Sequence, residues 1–293
     1  VTPRLAVLLV TVGLILLAAA LRAGYQRWRL RPSPPAEVAR YSGDAPLPVT
    51  AYTPALAVGA LAALRAGDVL DAVGCRRPRG AIKRDLRAAA EPYRRSVLGE
   101  EDVSTAISRC VNDLLGPAAE TVGGHLSRIE EVIRHRRRGG PELWHHAIDE
   151  WAARATLPEE AVAALHDIAE HVARAEEELR RIGILGDGEF VPTLLAFHWG
   201  HGVHLARSAM AVGWLDRTRG LNYLRRAGEL ARRRYPSSRT LLAAQLLPAY
   251  LGGDADTIRW AETAVPPLLT DPRSPLRTRE LAGRRPSPAS GEA

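Results

Sequence analysis

An all-α body on a single N-terminal membrane-spanning helix is the architecture this chain predicts, and three observations predict it. Residues 5–21, LAVLLVTVGLILLAAAL, carry no charge between Arg4 and Arg22. From Thr53 to Leu268 apolar residues recur at three and four, with no β-branched runs and no sustained strand-like alternation. From Pro266 onward proline, arginine and serine dominate, the composition of a disordered tail. The expected organisation is an anchor over 1–22 and a basic proline-rich linker over 23–50. An N-terminal helical region over 51–155, a helical domain over 156–265 and a tail over 266–293 follow.

The apolar run from Leu5 to Leu21 spans roughly 26 Å as a helix, close to the thickness of a bilayer's hydrocarbon core. Arg22, Arg27, Arg29 and Arg31 follow it, whereas only Arg4 and the α-amino group precede it. Positive flanks stay cytoplasmic, so the expected topology is amino terminus outside and body inside, with Tyr25 and Trp28 at the interface. The alternative is a cleaved signal peptide, for which Ala18, Ala19 and Ala20 offer a small-residue cleavage site and the product would be secreted. Against it stand the length of the run, a single Arg ahead of it and an arginine-rich mature end.

Lys83 is the sole lysine among 40 basic residues, a bias that fits codon usage in a GC-rich bacterial genome. A net charge of +7 raises nucleic acid as a partner. The excess reads as concentrated beside the anchor and in the tail, where anionic lipid is the simpler partner. Cys75 and Cys110 share no metal-ligand spacing. They are expected to be reduced, small apolar residues in a cytosolic body, or a disulfide should the topology be inverted.

Residues 31–48 read as a semi-extended linker. Leu56 to Leu64 is about half a spanning length and reads as a core helix rather than a second membrane pass. Thr156-Leu157-Pro158-Glu159 has the pattern of a capping box. The helix behind it places Val162, Leu165, Ile168 or Ala169, Val172 and Leu179 on one stripe and stops at Gly183. Asp216 is placed to cap a helix that buries Leu221, Leu224, Ala227, Ala231 and Tyr235. That helix turns Arg225, Arg226, Arg232 and Arg233 outward. Pro236-Ser237-Ser238 ends it and begins the next, which Pro248 kinks or terminates.

The segment from Leu195 to Gly253 resembles the bacterial family designated domain of unknown function 1266. That family's core reads approximately A-W-D-x-x-R-A-x-N-L-A-R, then a G-Y-[LI]-[DS] turn, an amphipathic helix, a Ser-Trp pair and a Y-L-x-G ending. Ala196, Leu205, Ala206, Arg207, Gly213, Trp214, Leu215, Asp216, Tyr250, Leu251 and Gly252 fall on that pattern. The likeness is strongest from Leu195 and looser back to Ala161. The family's Trp-Asp stands here as Phe197-His198, its Arg as His201, its Asn as His204 and its Ser-Trp as Ser238-Arg239. Joint loss of the acid and the base implies that the two form a supporting i,i+3 pair in the family. The resemblance implies an architecture and no established activity.

His198, His201 and His204 sit at i, i+3 and i+6 of one helix. The first two face one side and would bind a divalent ion given a third ligand, for which His145, His146 or Glu176 are candidates. The plainer reading is neutral histidines at a half-buried helix interface. Gly200 and Gly202 cost that helix about 1 kcal/mol each relative to Ala, a cost that close helix approach beside Trp199 would offset. Arg134 to Arg138 and Arg232 to Arg234 read as solvated faces or lipid contacts, Glu100-Glu101-Asp102 and Glu176-Glu177-Glu178 as helix-surface charge, and GILGDG at 183–188 follows a helix, unlike a phosphate loop. No nucleophile–base set has a supporting context, and no cofactor is expected. The chain therefore reads as a membrane-anchored, non-enzymatic interaction or scaffold module with a protein partner. The alternatives are a metal-dependent hydrolase or sensor built on His198 and His201, and an anionic-lipid or nucleic-acid binder acting through arginine-rich surfaces.

Overall fold

The computed structural model describes residues 39–277, apart from 46, 48–49, 97–98, 101 and 137–140. The expected anchor from Leu5 to Leu21, its flank Arg22, Arg27, Arg29 and Arg31, and residues 278–293 lie outside the described residues. The helices are α1 (Thr53–Arg65), α2 (Arg79–Arg94), α3 (Val103–Leu115), α4 (Ser127–Arg134), α5 (Pro141–Arg154) and α6 (Glu159–Arg181). They continue with α7 (Leu195–Val212), α8 (Arg217–Arg234), α9 (Ser238–Leu251), α10 (Ala255–Ala264) and α11 (Pro266–Thr270). The described strand structure is one antiparallel pair of two residues each, Arg95–Ser96 against Gly99–Glu100. The body is all-α.

Helix α7 is the axis of the body, packed against α1, α2, α3, α8 and α9. Its glycines explain how so many neighbours fit. A Cβ on Gly200 would stand 3.0 Å from the Val58 carbonyl oxygen of α1, and one on Gly202 would stand 2.8 Å from Leu115 of α3. Bare backbone there lets both helices approach, which offsets the propensity cost of glycine. The wholly buried Trp199 donates from Nε1 to the Ala119 carbonyl at 2.7 Å, and Gln245 Nε2 donates to Val58 O at 2.8 Å.

The start of α7 is pinned by side chains from distant segments. Glu130, buried in α4, accepts from Leu194 N at 2.7 Å, Thr193 Oγ1 at 2.6 Å and Arg134 Nε at 3.0 Å. Tyr235 Oη donates to Thr193 O at 2.9 Å and accepts from Ala196 N at 2.8 Å. Together they satisfy backbone donors that a helix start leaves open, and the carboxylate complements the positive end of the helix.

Several boundaries differ from the sequence expectation. Thr156 closes α5 instead of opening α6: it takes the left-handed region at φ 53, while Leu157 N donates to Ala152 O at 3.0 Å. That is a C-terminal hydrogen-bond pattern, and α6 starts behind Pro158 without a side-chain cap. The far end of α6 meets expectation, with Gly183 at φ 74 and Ile184 N bonded to Leu179 O. Asp216 caps α8 through Arg219 N, and Ser237 forms a capping box with Thr240. Helix α9 runs through Pro248 to Leu251, one turn from its end, where Gly252 N closes on Pro248 O at 3.1 Å.

The expected division at 155/156 is not a division of the core. One apolar cluster runs from Ala55 through α7 and α9 to Leu276. Nor is the described part of the linker free. Arg40 bridges Val69, Leu70 N donates to Arg40 O at 2.9 Å, and the Asp71 carboxylate accepts from Ser42 N at 2.7 Å. The tail begins later than expected, because Val265, Leu268 and Leu276 are buried and Arg273 stacks 4.4 Å over the Tyr41 ring. Helix α1 is a core helix, and no described helix is long and apolar enough to cross a membrane.

Candidate functional site

The chemistry-bearing groups of the body meet where the loop after α1 crosses the C-terminal half of α7. Asp68, 2% exposed, accepts from Val69 N at 2.8 Å and Arg76 N at 2.9 Å through Oδ1, folding residues 68–76 into a closed turn. From α7, Arg207 enters this turn with no exposed surface and donates from Nη2 to Val69 O at 2.7 Å and Gly74 O at 3.4 Å. Arg207 Nε and Nη1, Asp68 Oδ2 and His204 Nδ1 are buried without a hydrogen-bond partner among the described residues. Cys75 Sγ lies 3.7 Å from Ser208 Oγ, with the Asp68 charge nearby.

The electrostatics follow from this burial. Desolvation raises the Asp68 carboxyl, but the Cys75 thiol, the Arg76 N–H, Arg207 and the Val69 N–H outweigh it and hold it below its ordinary value. The Cys75 thiol is pushed up to about 12, first by burial and then by the Asp68 charge. His204 is pushed down to about 4, first by burial and then by Arg207. At neutral pH the site holds a carboxylate, a guanidinium, a protonated thiol and a neutral imidazole. A thiol so far from ionisation is a poor nucleophile and a poor metal ligand. The arrangement straps the 68–76 loop to α7.

His198 and His201 stand on the same helix, both half-buried, and His198 meets the Phe197 ring edge-on at 5.6 Å. The third ligands proposed for them are engaged elsewhere. Glu176 is buried and accepts from Val191 N at 2.8 Å and Arg136 Nη1 at 2.7 Å, so it is not the surface charge its acidic run implies. Arg136 lies 3.9 Å over the Trp144 ring, so one member of the basic run 134–138 is packed and not solvated. His145 stacks on His166, whose Nε2 pairs with Asp149 at 2.7 Å, and His146 pairs with Glu150 at 3.1 Å. Among the described residues no three His, Cys, Asp or Glu side chains converge as a metal site would require. Cys75 and Cys110 are not joined in a disulfide.

The motif residues are placed as follows. Ala196, Leu205 and Ala206 are buried, and Gly213 takes φ 79 at the end of α7. Trp214 lies half-buried with Lys83 and Arg87 over its ring at 6.0 and 5.6 Å. Leu215 is buried and Asp216 caps α8. Tyr250 is half-buried with its phenol raised to about 12 by burial, then by Glu262, and Gly252 ends α9. Arg239 Nη1 donates to the Gly183 carbonyl. The family described as "Protein of unknown function (DUF1266)" matches residues 118–281, more than half of the chain. The chain belongs to this family. The DUF1266 match begins before α4 and so reaches further toward the N-terminus than the motif segment, taking in Glu130 and Glu176 as well as Arg207 of the motif itself. Asp68 and Cys75 lie outside it, on the loop that Arg207 holds. Neither the curated proteins nor the solved structures return a match.

Asp68, Glu130, Glu176 and Tyr235 are the polar anchors that sequence reasoning missed as a group. Asp68 lies in a loop, Glu130 and Glu176 stand in acidic runs, and Tyr235 is expected to be buried but not to hold the start of α7, so the sequence carries no sign of the backbone partners that fix them.

Proposed function

We propose that this DUF1266 chain is a single-pass, membrane-anchored helical module that acts by binding a protein partner and not by catalysis. One observation carries the reading: the uncharged run from Leu5 to Leu21 followed by Arg22, Arg27, Arg29 and Arg31. By the positive-inside bias the amino terminus lies outside and the body in the cytoplasm. The state of the Asp68–Arg207 site supports the non-catalytic half of the reading, because its thiol and imidazole are both shifted away from work at neutral pH.

Fractionation of cells expressing the full chain tests it. The chain is expected in the membrane fraction after alkaline carbonate extraction, with the body protease-sensitive in inverted vesicles and protected in intact cells. Recovery of the full chain in the soluble fraction with residues 1–22 intact overturns the anchor. Protease sensitivity of the body in intact cells overturns the topology.

A further inference from the structure

The segment RRPRGAIKRDLR at 76–87 carries six cations and one carboxylate, a concentration of charge outside the anchor flank and the tail. Helix α2 turns Ile82, Leu86, Ala89 and Ala90 into the core. Arg79, Arg84 and Arg87 are exposed, Lys83 is half-buried at the edge of that stripe, and Arg76 is exposed just ahead of them. Among the described residues the charged groups of Arg76, Arg79, Lys83 and Arg87 form no ion pair within 4 Å; Asp85 is engaged by Arg77 and Arg84. Trp214 completes the face beneath Lys83 and Arg87. Cations flanking a half-buried indole are the combination that suits an anionic lipid surface, with Trp at headgroup level. Other carboxylates beside these residues are committed elsewhere: Asp68 accepts from Arg76 N, Asp216 caps α8 and Glu91 pairs with Arg94.

Position selects the occupant. Arg40 bridges Val69, and the carboxylate of neighbouring Asp68 holds Arg76 N. The chain arriving from the anchor thus joins the body beside the first cation of the face. Seventeen residues, 22–38, separate the apolar run from the docked segment, a reach of at most about 60 Å. We propose that the face formed by Arg76, Arg79, Lys83, Arg87 and Trp214 rests on the anionic headgroups of the membrane that holds the anchor. This inference rests on the anchored reading and adds the orientation of the body.

Lys83 is the only lysine, so amine-reactive labelling reads this face in the full chain. The chain is reconstituted in phosphatidylcholine or phosphatidylcholine–phosphatidylglycerol vesicles and labelled with an uncharged amine reagent. The introduced amine of Arg233→Lys, on exposed α8, serves as internal reference. Labelling of Lys83 relative to that reference is expected to fall at least about fivefold with phosphatidylglycerol, the equivalent of a single cation's headgroup contact. High salt restores it, and so does Arg76→Gln/Arg79→Gln/Arg87→Gln. Equal labelling in both vesicles, or equal loss at both amines, overturns the proposal. Stronger protection by an added DNA duplex than by phosphatidylglycerol overturns it in favour of nucleic acid. Flotation with pure phosphatidylcholine vesicles reports the anchor separately, so a chain that floats without lipid-dependent protection refutes only the face.

Discussion

Replacing Arg207 by Met tests whether the 68–76 loop is held by one buried charge. Met keeps most of the aliphatic volume but removes the donor to Val69 O and Gly74 O and the charge facing Asp68. A buried hydrogen bond to a charged group contributes about 1.5–3 kcal/mol, and only the 2.7 Å bond has good geometry. Breaking one side of a buried charge pair costs about 3–5 kcal/mol because the other charge stays behind. Asp68 keeps two backbone donors, so the lower half of that range applies: about 3–4 kcal/mol. For a body of this size that shift lowers Tm by roughly 6–16 °C. Scanning calorimetry measures it, and amide exchange over 69–76 is expected to accelerate alongside. The Arg207→Met/Asp68→Asn double variant should cost about 1–2 kcal/mol less than the sum of the single changes, since the stranded charge is removed. An Arg207→Met protein melting within about 2 °C of the parent, with unchanged exchange in the loop, refutes the reasoning.

His204 is lowered from 6.5 to about 4, so the unfolded chain binds the proton more readily between those values and stability falls as pH drops through that window. His204→Asn removes that contribution, leaving a flatter urea-midpoint profile from pH 6.5 to 4, with half-buried His135 adding a smaller slope of the same sign. Gly200→Ala is expected to destabilise by about 1–2 kcal/mol in chemical denaturation: the new Cβ meets a backbone oxygen that cannot rotate away, which outweighs alanine's helix preference. Glu176→Gln should cost about 2–3 kcal/mol by orphaning Arg136 and weakening the tie to Val191, whereas Glu177→Gln, with its carboxylate 72% exposed, should stay within about 0.5 kcal/mol.

The periodicity of α6 and α8, the caps at Asp216 and Ser237 and the stop at Gly183 were legible because each depends on residues within one turn of the chain. The close approach that Gly200 and Gly202 permit was legible for the same reason: an unfavoured residue in a helix requires a neighbour to explain it. Thr156 was misread because a left-handed helix end and a capping box share local chemistry, and only the bond from Leu157 N to Ala152 O separates them. Segments 39–45 and 266–277 were misread because proline and arginine say how a chain behaves when unsupported. Docking onto the body through Asp71, Tyr41 and the buried Leu268 and Leu276 supplies the support.

The sequence by itself determined the helical class, the family and the position of its motif, because periodicity and local pattern are properties of neighbours along the chain. Tertiary structure alone decided which charges are structural. Glu130, Glu176, Asp68 and Arg207 look like surface residues in the sequence, yet they are buried because backbone groups outside their own helical turn need them, tens of residues away for Glu130 and Arg207. A buried charge persists only where such partners converge, and that convergence is written in three dimensions.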